Sequence, residues 1–207
     1  MAGLVPAAMA GVSALRTPPA EPPVVEVAAH TFAYRLPGDF RQDGAAIDWP
    51  LVRIEAKRPL TIMRTQVTAA AYDLCADQGA CRPRDRREKS GADIPAVGVS
   101  WQDATAYAGW LSAQTGATWR LPTDEEWVLA AGTRFADDAL GTTDFTERWI
   151  ARYEQETSRS RSVDSKARPI GTFGENENGL LDVAGNVWEW TDTCFVRQSV
   201  DADGHLL

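Results

Sequence analysis

Apolar residues recur along this chain in short bursts separated by turn residues, and few stretches hold a helical period. Trp101, Ala104, Ala108 and Leu111 fall three or four apart, which predicts a helix running to about Gln114 with that stripe turned inward. Ser100 is placed to cap it, Asp103 favours its first turn, and Gly116 stops it. Thr123 with Glu126 three residues later reads as a capping box opening a second helix, which carries Trp127, Ala130 and Ala131 before Gly132. A third helix, Ala69 to Ala76, follows Thr68 and ends at a left-handed turn on Gly79, with Tyr72 and Cys75 on one face.

The strand expectations are shorter. Leu51–Ile54 reads as an edge strand, Leu60–Val67 and Ile94–Val99 as further strands, and Arg168–Phe173 as a strand and turn. Turns are expected at Pro37-Gly38-Asp39 and Asp43-Gly44, and an extended segment at Trp119–Pro122 because proline disfavours the helical region in its predecessor. From Phe135 to Lys166 the pattern supports only a short helix at Trp149–Tyr153. The pattern gives short helices and short strands separated by much polar loop.

Composition adds one anomaly. The 207 residues are 44% hydrophobic and 24% charged, values ordinary for a globular domain, but they include eight tryptophans. Each indole is large and has an N–H to satisfy, so so many of them imply a core penetrated by polar loops, and the helix tryptophans are expected to be core. A net charge of −8 disfavours nucleic acid, whose recognition needs a cationic footprint. The basic run Arg82–Lys89 and the Ser/Arg stretch Ser158–Lys166 are interleaved with acids or serines and are expected to be solvated loops. No window of 18 consecutive apolar residues predicts a membrane span.

Residues 1–30 read as a leader and Pro-rich linker, with the fold beginning near Val24 to Phe32 and the domain assigned to 31–207. Leu4–Leu15 is apolar with small residues suited to cleavage at Ala10 or Ala14, yet no Lys or Arg precedes it. It is either a secretory signal lacking its basic n-region or an Ala-rich leader; the former places the protein in the periplasm or outside the cell. Cys75 and Cys81 flank a loop that can turn back at Gly79, and a local disulfide is expected. Zinc wants four ligands, and the only histidines, His30 and His205, lie at opposite ends. Cys194 is then left without a partner.

The densest motif is Gly179-Leu180-Leu181-Asp182-Val183-Ala184-Gly185-Asn186-Val187-Trp188-Glu189-Trp190-Thr191, too crowded with Trp, Gly, Asn and carboxylates for either a helix or an alternating strand. It follows three other segments in order: Gln66-Val67-Thr68 with Tyr72; Val97–Ala104; and Arg120-Leu121-Pro122-Thr123-Asp124-Glu125-Glu126-Trp127. Together with Pro169-Ile170-Gly171 ahead of the signature, they make the chain resemble the formylglycine-generating enzymes, also called sulfatase-modifying factors, from about Leu51 to Thr191. The resemblance implies an irregular α+β domain related to C-type lectins.

It also implies chemistry. Family enzymes oxidise a cysteine of a target sulfatase to formylglycine with molecular oxygen, on copper held by a cysteine pair. Relatives use the scaffold for sulfur–carbon bond formation with iron, for siderophore maturation, or as accessory proteins beside respiratory enzymes such as copper nitrite reductase. A family Ca²⁺ maps onto Asp182, Gly185, Val187 and Glu189, where two carboxylates and two backbone carbonyls would supply hard oxygens. The competing reading has Asp182 capping a turn and Glu189 pairing with an arginine. A second family calcium site falls in Phe135–Lys166 without residue-by-residue alignment.

The copper-binding pair of the family lies downstream of the Trp-Glu-Trp element, beyond Leu207; Cys194 comes too early to belong to it, and Cys75 and Cys81 sit in the first helix and its turn. The expectation is therefore a truncated or catalytically incompetent maturation factor, with copper only if that segment is present. The alternative is a non-catalytic, lectin-like module binding a protein or peptide partner, for example in maturation of a periplasmic respiratory metalloenzyme. The sugar-binding Glu-Pro-Asn and Trp-Asn-Asp triplets of lectins do not occur.

Overall fold

The computed structural model describes residues 21–34, 38–47, 52–85, 91–135, 166–183, 185–194 and 196–201. The expected helix at Trp149–Tyr153, the Ser158–Lys166 stretch up to residue 165, the leader and the second calcium region lie outside the described residues almost entirely. Strands β1 (Val24–Val27), β2 (Thr31–Tyr34), β3 (Gly38–Gln42), β4 (Ala45–Ile47), β5 (Val52–Glu55) and β6 (Leu60–Met63) precede helices α1 (Ala69–Asp77), α2 (Trp101–Thr115) and α3 (Asp124–Ala131), and β7 (Val196–Val200) comes last. The fold is α+β and loop-rich, and the described residues form three small sheets: β1–β6, β2–β5 and β4–β3–β7.

Local chemistry explains the helices. Thr68 Oγ1 accepts from Ala71 N at 3.2 Å to start α1. Both α2 and α3 open with reciprocal capping boxes, Ser100 with Asp103 and Thr123 with Glu126, which satisfy N–H groups that a helix start otherwise leaves unpaired. Helix α2 ends on Gly116 at φ +75, a left-handed cap. Its buried face differs in part from the expected stripe. Tyr107, Ala108, Trp110 and Leu111 are buried, whereas Trp101, at the first helical position, is exposed and its indole N–H donates to Thr191 O.

The strands pair where short-range patterning could not dictate. β1 runs antiparallel to β6, with Val27 opposite Leu60, and β2 runs antiparallel to β5, with Phe32 opposite Ile54. Asp43 (φ +51) and Gly44 (φ +81) turn β3 into β4, the two-residue hairpin geometry that favours Asp-Gly. Two strand expectations differ from the structure. Ile94–Val99 makes only an isolated bridge, Thr68 to Pro95, and Arg168–Phe173 is a series of turns. Proline removes the ladder donor at residues 95 and 169, which confines both segments to extended or turn roles. Strand β7, in a segment for which the pattern predicted no element, pairs in parallel with β3, Gly38 opposite Val196 through Gln42 opposite Val200.

Among the described residues the apolar contacts form three clusters. Val27, Leu129, Ala130, Ala131, Leu180 and Val183 join the β1–β6 face to α3 and the signature loop. Tyr72, Tyr107, Trp110 and Leu111 join α1 to α2 around Cys75 and Cys81, which form a disulfide. Phe40 and Val200 bind β3 to β7. The basic run is not wholly a solvated loop: Arg84 is buried and grips Asp73 through two bonds of 2.8 and 3.0 Å, and Arg82 pairs with Asp103 at 2.8 Å. Among the described residues, no helix is long and apolar enough to cross a membrane.

Candidate functional site

The signature loop is held from both sides before it reaches its tryptophans. Asn176, buried, accepts from Asn178 N and Leu180 N through Oδ1, while its Nδ2 donates to Ala130 O at 2.8 Å and Ala131 O at 3.1 Å. Asn178 Nδ2 donates to Ala130 O as well. These amides satisfy carbonyls at the end of α3 that have no intrahelical partner. Sequence reasoning gave neither residue a role, although both stand in an Asn-rich stretch just ahead of Gly179. From the other side, Arg64 Nε donates to Gly179 O and Arg64 Nη2 to Glu175, while Leu181 N donates to Arg64 O.

Asp182 is the pivot of the loop. It is 1% exposed and sits at φ +60, a left-handed conformation that Asp tolerates better than most residues. Its carboxylate accepts from Gly171 N at 2.5 Å and Phe173 N at 2.7 Å, its N–H donates to Gly174 O, and its carbonyl accepts from Gly185 N. Asn186, also left-handed at φ +64, exchanges two side-chain bonds with the backbone of Arg168, at 2.8 and 2.9 Å. The Asp182 carboxylate therefore organises a turn.

Glu189 faces Gln66 and not an arginine. Gln66 Nε2 donates to Glu189 Oε1 at 3.0 Å and to Gly185 O at 3.2 Å. The Glu189 residue presents surface to solvent, yet its carboxyl end turns inward among densely packed atoms; burial there pushes its pKa up. The hydrogen bond from Gln66 and the nearby Trp127 indole act in the opposite direction, and the Asp182 charge adds to the upward push. Trp127 Nε1 is buried and aims at this carboxylate without closing a full hydrogen bond, and Gln66 Oε1 is likewise buried without a partner.

Measured against calcium, this donor set does not fit as it stands. Gly185 and Glu189 do converge on one point, but the point is an amide nitrogen. Gly185 O also accepts from Val187 N, and the Asp182 carboxylate is held by two backbone N–H groups.

Beyond Glu189 the loop presents aromatic surface. Trp101 Nε1 donates to Thr191 O and Trp190 Nε1 to Val99 O, both at 3.0 Å, so two indoles lace the loop to the start of α2. Asp192 N donates to Pro122 O, Asp124 N to Thr193 Oγ1, and Thr191 Oγ1 to Asp124, which ties the same segment to the start of α3. With its neighbours fixed, Trp188 stands 92% exposed, beside Trp190 at 49% and Trp101 at 38%. The expectation that helix tryptophans are core fails for Trp101, whereas Trp127 is partly buried and packs against the α3 cluster. Cys194, exposed and free, follows three residues after Thr191. A separate concavity of about 510 Å³ opens between the β5–β6 turn and α3, where Arg120 is already paired with Glu126.

An irregular α+β scaffold whose signature loop is locked by buried Asn, Asp and Gln side chains defines a formylglycine-generating-type fold. The family model described as the sulfatase-modifying factor enzyme 1-like domain matches residues 16–206, and the chain belongs to that family. It is 36% identical over 119 residues to the formylglycine-generating enzyme of Mycobacterium tuberculosis, covering 54% of this chain and 38% of that protein. It is 32% identical over 133 residues to the inactive C-alpha-formylglycine-generating enzyme 2 of Bos taurus, covering 58% and 38%. The chain thus spans less than two fifths of the length of these curated relatives. Among solved structures, PvdO from Pseudomonas aeruginosa superposes with a TM-score of 0.58 at 26% identity, over 84% of this chain and 71% of that one.

Proposed function

We propose that this chain is a maturation or accessory factor of the formylglycine-generating type that holds a protein or peptide segment against the tryptophan ledge beside the signature loop. The observation that carries this reading is Trp188, 92% exposed on a segment whose neighbours are tied to α2 and α3. An indole left in water forgoes a large burial gain, and one held out on a rigid segment loses little further freedom when a partner covers it. Tryptophan anchors of this kind dominate protein-binding surfaces.

Family membership leaves catalysis open, since the matched relatives include both a formylglycine-generating enzyme and a protein named as inactive. The thiols of this chain are one disulfide and Cys194, so its own residues do not assemble a thiolate pair of the kind the family uses for copper. The disulfide supports an oxidising compartment, periplasmic or secreted.

Titrating the chain with a cysteine-containing sulfatase-motif peptide, followed by calorimetry, tests the reading. Binding weakened at least about tenfold in Trp188→Ala, with an unchanged melting temperature, is the expected result. Equal affinity in the variant, or copper-dependent oxygen consumption with that peptide, would overturn it.

A further inference from the structure

We propose that in this chain the Gln66 amide takes the place of a cation, so that the signature loop closes without calcium. The inference goes beyond the partner-binding reading and is independent of it. It starts from where the oxygens of the loop are spent. Asp182 contributes three: both carboxylate oxygens accept backbone N–H groups, from Gly171 and Phe173, and its carbonyl accepts from Gly185 N. Gly185 O receives Val187 N and Gln66 Nε2, and Glu189 Oε1 receives Gln66 Nε2. A cation entering here would share Asp182 with backbone N–H groups and would have to displace the Gln66 NH₂ group from Gly185 and Glu189.

The orientation of the amide follows from its neighbours. A backbone carbonyl and a carboxylate can only accept, so with no cation between them the end of Gln66 that meets both is its NH₂ group. Reversing the amide would set three oxygens against one another with nothing positive between them. The NH₂ group bridges Gly185 and Glu189 as a small cation would, from a side chain that is 8% exposed and anchored just ahead of the Thr68 cap of α1. Charge points the same way. Calcium favours several carboxylates, yet with Asp182 committed to its turn and residue 66 neutral, Glu189 is the one carboxylate of the four expected donors free to ligate.

The test uses the full chain, with Ca²⁺ alone as ligand and Tb³⁺ as a luminescent probe excited through nearby tryptophan. Melting temperature is expected to be the same in EGTA and in millimolar calcium. Gln66→Glu, which exchanges the donor for a carboxylate oxygen of the same size, is expected to melt higher in calcium than in EGTA, to gain sensitised Tb³⁺ emission that Ca²⁺ displaces, and to bind Ca²⁺ at least about tenfold tighter than the parent. A calcium-dependent rise in the parent that Glu189→Gln abolishes would overturn the proposal, because it would place the ion on this carboxylate. A rise that survives in Glu189→Gln puts the ion elsewhere and supports the proposal. Should Gln66→Glu fail to fold in both conditions, the comparison of parent with Glu189→Gln decides alone.

Discussion

Replacing Asp182 with alanine removes two acceptors from the buried N–H groups of Gly171 and Phe173 and leaves alanine at φ +60. Each bond from a backbone N–H to a carboxylate contributes roughly 1.5–3 kcal/mol. The left-handed conformation costs alanine a further ~1 kcal/mol or so. Partial rearrangement of the loop offsets some of this, and the expected loss is about 4 kcal/mol, much of the 5–15 kcal/mol typical of a domain. Asp182→Asn keeps one acceptor and the tolerance for positive φ, so about 2 kcal/mol is expected. Urea unfolding followed by tryptophan fluorescence measures both. With a slope of roughly 2 kcal/mol per molar, Asp182→Ala should lower the midpoint by about 2 M at unchanged slope. The loss should be equal in EGTA and in calcium, because the missing interactions are with the backbone. A loss below about 1 kcal/mol, or one seen only with calcium present, would refute the assignment of Asp182 as a turn organiser.

Three further outcomes are expected. Cys75→Ala with Cys81→Ala should cost about 2 kcal/mol by releasing the constraint on a short loop inside the α1–α2 cluster, read as a lowered melting temperature that reductant no longer shifts. Gly132→Ala should cost at least about 2 kcal/mol by thermal unfolding, since the residue has φ +54 and a Cβ would collide with the Glu177 carboxylate that binds Thr133 N and Oγ1. The pH dependence carries a definite sign: Arg120 holds the Glu126 pKa below its ordinary value, against an opposing desolvation effect, so this stabilisation is present above the unfolded pKa and is lost as pH falls through the folded one. Between about pH 5 and pH 3 the melting temperature should therefore fall more steeply in the parent than in Glu126→Gln, and parallel curves would count against the ion pair.

What the sequence determined about this protein is what neighbouring residues settle among themselves. Capping boxes at Ser100 and Thr123, the turn at Asp43-Gly44 and the left-handed caps at Gly79 and Gly116 act over two to four residues, so their signals survive in any fold. The family was legible for a similar reason, because its motifs are contiguous. Tertiary structure decided the rest. The parallel pairing of β3 with β7 joins segments over 150 residues apart, as the Gln42–Asp201 bond at a separation of 159 shows, and nothing local announces such a partner. The carboxylates of Asp182 and Glu189 look alike in the signature, yet one is consumed by backbone N–H groups of a preceding turn and the other meets an amide 123 residues away. Trp110 and Trp188 differ as sharply, buried in one case and open to water in the other. A side chain's type states which bonds it can make; which of them it makes depends on the donors and apolar surface that distant segments bring beside it.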